Sequence, residues 1–444
     1  MRRVHVDGDI NLFEVNFPHP EAGYASGGYM SDSVVTGNIF AGSQQQWFSR
    51  NVQMGKWNNG VWNFVYLGCI GAPTSHCTND GGQIPATTIP STPQIAEKPY
   101  IVMDGSSYKL MIPNYESNKV GATQGWQNAK EVDFSQVYVA SSADSADKIN
   151  AKLAQGLHVV IQPGIYQLTD SIKVTKAGTV VLGIGMTTLV ATTGKPAIEV
   201  SDVEDVRIAG LILEAGHQRS EALLKWGSGN RANSASQPGV ISDVFARVGG
   251  PTNSQTEEVT TESMIEINSD NVIIDHTWLW RADHDIGGLV YSGKDFVASS
   301  LVVNGDNVKA YGLFGEHTLG NIVQWNGENG ETYFYQSEIA YDVNQQYADK
   351  GFTSYVVADN VKNHKGYGLG VYSYFRDFNV VVPAGVKAPV SGGVHFTNSV
   401  TVFLNGNGGI DHVVNDQGAA VRQGIQTAYL CEYGPTAQSK FLEE

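Results

Sequence analysis

The sequence predicts an all-β chain wound as a right-handed parallel β-helix, and three observations lead there. Glycine supplies 50 of the 444 residues while charged residues make up only 16%. That composition suits many tight turns, where glycine takes positive φ and lets backbones approach. From Val137 onward, short Val/Ile-rich runs with Gly or Asp at their ends, such as HVVIQPGIYQL from His158, recur about every 20–25 residues. Ahead of them stands one helical segment, SADSADKINAKLAQGLH, with Ser142 or Asp144 to cap it and Gly156 to stop it. Rungs that bury their apolar faces only against each other need such a lid at the open end.

Taken in order, residues 1–88 begin with the alternating VHVDGDINLFEV and continue as short apolar runs separated by Gly and Asn. They predict a first, incomplete β-helical domain. Residues 85–99 carry four prolines among Thr and Ser and read as an extended linker of polyproline character. YIVMDGSSYKLMIP, from Tyr100, reads as a hairpin. Residues 89–132 therefore join the first domain to a second β-helix over 133–444. Its later rungs include MIEINSDNVIIDHTWLW, DFVASSLVVNGDNVKAYG and GVHFTNSVTVFLNGNGG. The helix–strand alternation of a doubly wound sheet is missing.

The formal charge of −16 argues against a phosphate-backbone partner, so nucleic acid is excluded. No apolar run reaches the roughly 18–20 residues of a membrane span. Of the three cysteines, Cys69 and Cys77 bracket a short Gly/Pro loop. They either form a disulfide of the kind secreted proteins allow or remain buried thiols. The opening residues do not read as a signal peptide, and MRRVHVDGDINLFEV already reads as a strand. The expectation is an extracellular monomer whose chain starts inside a longer protein or after a removed leader.

The chemistry concentrates in YGLFGEHTLGNIVQWNGENGETYFYQSEIAYD, residues 311–342. Glu316 and Glu338 stand 22 residues apart, about one rung, each in an alternating apolar run. Two carboxyls on one wall are what glycoside hydrolysis needs, one to protonate the leaving oxygen and one to steer a water or attack. Glu328 and Glu331, in the polar NGENGE turn, read as solvated acids. In DHTWLWRADHDIGG, from Asp275, Trp278 and Trp280 share a strand face. They are either a platform for a sugar ring or a stacked aromatic core. Asp283 and Asp285 also share a face, and either accept from sugar hydroxyls or bond amides at a rung corner. This Asp/His cluster, which includes His276 and His284, lacks an HExxH pattern or an oxygen-rich calcium loop, so no metal is expected. Gln44, Gln45 and Gln46 before Trp47 are either a stacked amide ladder or partners for sugar hydroxyls.

VISDVFARVGG, TWLWRADHD, LFGEHT and YQSEIAYD occur in this order at distances that resemble glycoside hydrolase family 55, whose members carry DVHxRxGG-, WLWxADHD-, GxxxEH- and QTExPYYQ-like segments. GSQQQWFSRN likewise resembles that family's GNQQFxxRN. The resemblance runs over about residues 25–345. It implies two pectate-lyase-like β-helical domains and an inverting, mostly exo-acting β-1,3-glucanase without cofactor, with the active site between the domains. By position Glu338 takes the place of the general acid, and Glu316 that of the carboxylate that activates water. Gln45 or Gln46 matches the amide that holds this water, with Gln46 assigned to the water and Gln45 to the substrate. Trp280, Asp283 and Asp285 fall on the substrate pocket, joined by His317, Gln336 and Tyr341 beside the glutamates.

An acid protonated near neutral pH should be desolvated, with Tyr335 and Tyr341 as walls. An inverting pair needs a gap of about 6.5–9.5 Å for water. AYDV at 340–343 and Ser337 depart from the family pattern and mark a divergent branch. Two rivals remain. A polysaccharide lyase would need a base with a cation or basic side chains, whereas the candidate site holds carboxylates. A non-catalytic glycan-binding β-helix would have no use for the glutamate pair.

Overall fold

Apolar residues at every second position give each rung a face that must leave water, and in a solenoid only neighbouring rungs can cover it. A computed structural model of the chain meets that requirement. It describes residues 1–434 apart from 17–20, 124, 126–127, 231–232, 250–256 and 284–291. The strands from Val137 to Tyr433 join one sheet of 20 strands in which successive rungs pair in parallel and only the last two strands pair antiparallel. One column climbs through Arg207–Ala215, Gly239–Val248, Val272–Arg281, Lys309–Glu316 and Gly330–Ile339. A second runs through Ser220–Trp226, Thr261–Ile267, Val297–Val303 and Val323–Trp325. This is the parallel β-helix that the Val/Ile runs predict. Its rungs vary in length, however: residues on neighbouring rungs are 33 apart at Asp243 and His276, 36 at Asp270 and Asp306, and 22 at Asn307 and Asn329. The expected spacing therefore fits the first turn, with Val159 and Val181 also 22 apart, and the turn that carries the two glutamates, while the rungs between and after them carry longer excursions.

The inward Val, Ile and Leu side chains form one continuous core along the coil. The Ala146–Ala154 helix closes its first end with Ala146, Ile149 and Leu153 buried. Its cap is Ser145, which accepts from the Lys148 amide at 3.3 Å, rather than Ser142 or Asp144. Asp144 is occupied by Lys148 Nζ, the Tyr138 hydroxyl and the Ser141 amide. Thr427–Tyr433 covers the other end, running antiparallel to Gly393–Val414. At one corner the amides of Asn268, Asn304 and Asn326 form a ladder with 2.7 Å bonds.

The first part of the chain makes a smaller parallel ladder from Gly28–Phe40, Gln46–Asn58, Asn63–Leu67 and Ala86–Ile89. The segment expected to be a polyproline linker is instead paired strand. Thr92–Ala96 runs antiparallel to Tyr115–Lys119, and Ile95 and Ala96 are fully buried. A free linker would leave that apolar surface and those backbone groups in water. The hairpin Tyr100–Asp104/Ser107–Pro113 forms, and Ala129–Asp133 adds a third strand to it. The local Cys69–Cys77 alternative is replaced by a bond between Cys77 and Cys431, 354 residues apart, and Cys69 remains a thiol. The loop carrying Cys77 reaches the last strand of the long sheet, so the smaller ladder is tied to the far end of the larger one.

The two ladders meet along a bend. One residue per rung, at Gly210, Asp243, His276, Gly312, Phe334 and Gly368, takes a φ between 50° and 70°. A Cβ at Gly312 would stand 2.8 Å from the Phe48 ring and 3.0 Å from the Tyr29 ring, so glycine permits the close approach there. Tyr29, Phe48, Val65 and Leu67 pack against Val240, Ile273, Tyr311, Tyr333 and Phe334 in an apolar seam.

Beside the seam lies a buried ion cluster. Arg50 is 0% exposed. It donates to both oxygens of Asp275 at 3.1 and 2.9 Å and to both of Glu97 at 2.8 Å. Arg2 adds bonds of 2.8 Å to Asp275 and 2.9 Å to Asp243, and Lys119 binds Glu97 and Asp32 at 3.0 and 3.2 Å. Burial pulls the Asp275 carboxyl upward, but Arg2 and Arg50 outweigh it and hold it below the usual carboxylate range. Removing one partner of such a cluster strands the others. Arg50→Met should therefore cost about 3–5 kcal/mol in urea denaturation; a loss below about 1 kcal/mol would show that the cluster is not a structural unit.

Candidate active site

The bend resets strand alternation, and the outward positions just past it form two columns. Trp278, Phe314 and Gln336 are register partners in one; Trp280, Glu316 and Glu338 are partners in the next. Successive members sit on strands about 4.8 Å apart. Gln46, at the start of its strand, faces them from the smaller ladder with Gly27 and Gly28. The walls enclose a cavity of about 530 Å³, with Phe245 and Phe314 as its apolar side and His276 beside them.

Glu316 is buried, and the Trp278 indole N–H donates to its Oε2 at 2.8 Å. Glu338, one rung on, accepts from the Tyr341 hydroxyl. His317 Nε2 lies 3.9 Å from Glu338 Oε2 and 3.7 Å from Asp283 Oδ1, and its ring meets Tyr341 edge-on at 4.5 Å. Trp280 donates to Asp283 at 3.1 Å and stacks on Trp278 with ring centres 5.2 Å apart. Burial pushes the Glu338 carboxyl up to about 8; the neighbouring charges of Glu316 and Asp283 push the same way, and the Tyr341 hydrogen bond pulls back. Burial, with the nearby Glu338 charge, also raises the Tyr341 phenol above its usual range. One carboxyl of the pair thus stays protonated near neutrality, within a rung of a second carboxyl held by an indole.

Most of the expected residues converge here. Glu316, Glu338, Gln46, Trp280, Asp283, His317, Gln336 and Tyr341 all line the cavity. Gln45 does not. Alternation turns it the other way, to the Tyr24 hydroxyl at 2.8 Å. Gln46 Nε2 donates to the Ser26 carbonyl, and Asn63, its register partner, is committed to the Gly368 carbonyl at 2.9 Å. Asp285 and His284 lie outside the described residues. Tyr335 is not a wall: it is fully buried in the coil and bonds Ser354, because positive φ at Phe334 reverses the alternation before it.

The turn acids are structural. Glu328 accepts from the amides of Lys362 and Asn363, and Glu331 pairs with Lys309 at 3.2 Å. Asp275 belongs to the ion cluster, and His276 bonds Asp243 at 2.8 Å. Among the described residues no group of three or more His, Cys, Asp or Glu side chains could hold a metal. The contact sequence reasoning missed is the Trp278 bond to Glu316. Its one signal is that Trp278 shares a face with Trp280.

A parallel β-helix with two carboxyls and an aromatic platform in one cavity defines a β-helical glycoside hydrolase. The family model described as the LAM55 pectate lyase-like domain matches residues 137–338. An exo-beta-1,3-glucanase of Streptomyces sp. (strain SirexAA-E / ActE) is 40% identical over 427 residues, covering 94% of this chain and 68% of that protein. The solved structure of sacteLam55A from Streptomyces sp. SirexAA-E superposes with a TM-score of 0.89 at 37% identity, over 97% of this chain and 78% of that one. A variant of sacteLam55A in complex with glucose gives 0.90 at 37% identity, over 97% and 77%. The chain belongs to glycoside hydrolase family 55.

The raised Glu338 carboxyl has a consequence for stability. Its folded value of about 8 lies above its ordinary 4.5, so between the two the folded state binds more proton than the unfolded. The contribution is fully present below about pH 4.5 and lost as pH rises through about 8. Thermal melting should show Glu338→Gln gaining on the native protein across that window and levelling above it. A constant difference from pH 4 to 9 would contradict the shift.

Proposed function

We propose that this chain hydrolyses β-1,3-glucan from a chain end with inversion at the anomeric carbon. The observation that carries the reading is the Glu316–Glu338 register pair inside one cavity, with the Glu338 carboxyl raised by burial. In the proposed step Glu338 gives its proton to the glycosidic oxygen as the C1–O bond breaks. Water from the Gln46 side forms the new bond to C1, and Glu316 takes its proton. Trp280 supports the sugar ring, and Asp283, Gln336 and His317 lie within reach of its hydroxyls. Trp278, on the preceding rung, holds the Glu316 carboxyl, and Tyr341, in Glu338's own turn, holds that of Glu338; separate anchors of this kind support a gap wide enough for water. Linkage and exo action are supported by the 40%-identical relative, an exo-beta-1,3-glucanase.

In this reading residues 133–444 carry the acid and base, 1–88 bring Gln46, and 89–132 join them. The Cys77–Cys431 bond supports an extracellular, oxidising setting, and the protein acts as a monomer. Among the described residues no helix is long and apolar enough to cross a membrane.

On laminarin, Glu338→Gln should lower kcat by about 10³-fold or more with folding intact, and Glu316→Gln should be similarly impaired. NMR of the first product should show the α-anomer of glucose. A β-anomer would reject inversion, and full activity of Glu338→Gln would reject the assignment.

A further inference from the structure

One buried guanidinium reaches each segment that carries the reacting groups. Arg281 follows Trp280 and turns inward, where it is 1% exposed. Its Nη1 donates to the His317 carbonyl at 3.2 Å and to Asp342 Oδ1 at 2.9 Å. Nη2 donates to Asp342 Oδ2 and to the Lys294 carbonyl, both at 2.7 Å. Nε is shared between the carbonyls of Lys294 and Asp295 at 2.9 and 3.2 Å. All five of its N–H donors are therefore used. The Gly293 amide adds a bond of 3.0 Å to Asp342 Oδ2.

What these partners adjoin gives the contacts their meaning. His317 directly follows Glu316; it sits at φ 65°, and its N–H donates to the Glu338 carbonyl at 2.9 Å. Asp342 directly follows Tyr341, whose hydroxyl donates to the Glu338 side chain. One planar fork thus holds the backbone just past the proposed base and the carboxylate just past the acid's hydrogen-bond donor. A bidentate guanidinium–carboxylate pair fixes direction as well as distance.

We propose that Arg281 and Asp342 form a positioning pair for this hydrolysis: without touching substrate, they hold Tyr341 on Glu338 and the Glu316–His317 step in place. The inference rests on the roles proposed for Glu338 and Glu316. The groups that face Glu338 are Glu316 and Tyr372 from neighbouring rungs, Asp283 and His317 from the turns, and Tyr341 from its own chain turn. The Arg376 guanidinium lies 6.0 Å from the Tyr341 ring. Of these, the Tyr341 hydrogen bond lowers the Glu338 carboxyl, so releasing Tyr341 should move the alkaline limb of activity upward.

The test uses the full chain on laminari-oligosaccharides, with thermal melting alongside. Asp342→Asn keeps the shape and removes the charge; kcat should fall about 10²-fold with little change in KM, and the alkaline limb of kcat should move up. Tyr341→Phe should give the same upward move. The Asp342→Asn/Tyr341→Phe double variant should be no slower than the worse single one, since both act through one contact. Asp342→Glu, which keeps the charge, should recover part of the rate even if Asp342→Asn folds poorly. Normal kcat in Asp342→Asn, additive losses in the double variant, or an unmoved limb overturns the proposal. Glu338→Gln separates the two levels. If it is inactive while Asp342→Asn is normal, only the positioning claim falls; if it is fully active, the hydrolytic reading falls and takes this claim with it.

Discussion

Arg50, enclosed by Asp275 and Glu97, joins three parts of the chain that are far apart in sequence. The apolar seam beside it supplies free energy but is non-directional, and two greasy faces can slide past each other at little cost. Charge-assisted hydrogen bonds are directional. Gln46 stands four residues before Arg50, and Trp278 three after Asp275. The ion cluster therefore sets the height at which the amide of one ladder faces the indole and carboxyls of the other. Desolvating so many charges is seldom a net gain in stability. What the cluster provides is alignment across a cleft that neither ladder could build alone.

The bend works with that alignment. A left-handed residue on each rung turns the strand toward the smaller ladder and then releases it, so the positions just beyond point into the cleft. For non-glycine residues this conformation costs about 1–2 kcal/mol each. Phe334 and His276 sit in it nonetheless, the one fully buried against Phe48 and Phe314, the other stacked on Tyr29 at 4.0 Å. Packing at the seam offsets the strain, and the cleft geometry follows from it.

This arrangement also explains how far the sequence could be read. The coil was legible because buried parallel strands need near-continuous Val and Ile, and the lid because its helical spacing is unlike anything around it. The glutamate pair was legible because their rung is short and uninterrupted, so separation in sequence translates into stacking. Trp278 and Glu316 lie on rungs joined by a longer excursion, and no repeat length predicts their contact. Tyr335 was misplaced because phenylalanine gives no hint of positive φ at 334, and one such residue inverts every side chain that follows. The paired strands at 92–96 and 115–119 were hidden by prolines on one side and YESNK on the other. Their pairing follows from burial against a distant ladder, which local composition does not encode.

The bond from Cys77 to Cys431 turns most of the polypeptide into a covalent ring. A protease that severs any single peptide link between those two positions opens the ring without releasing a fragment, and both halves stay attached through sulfur. The cleft surfaces of the two ladders thus remain covalently joined after a nick. Wherever peptidases are present, such tolerance of cutting bears on working lifetime as directly as resistance to heat.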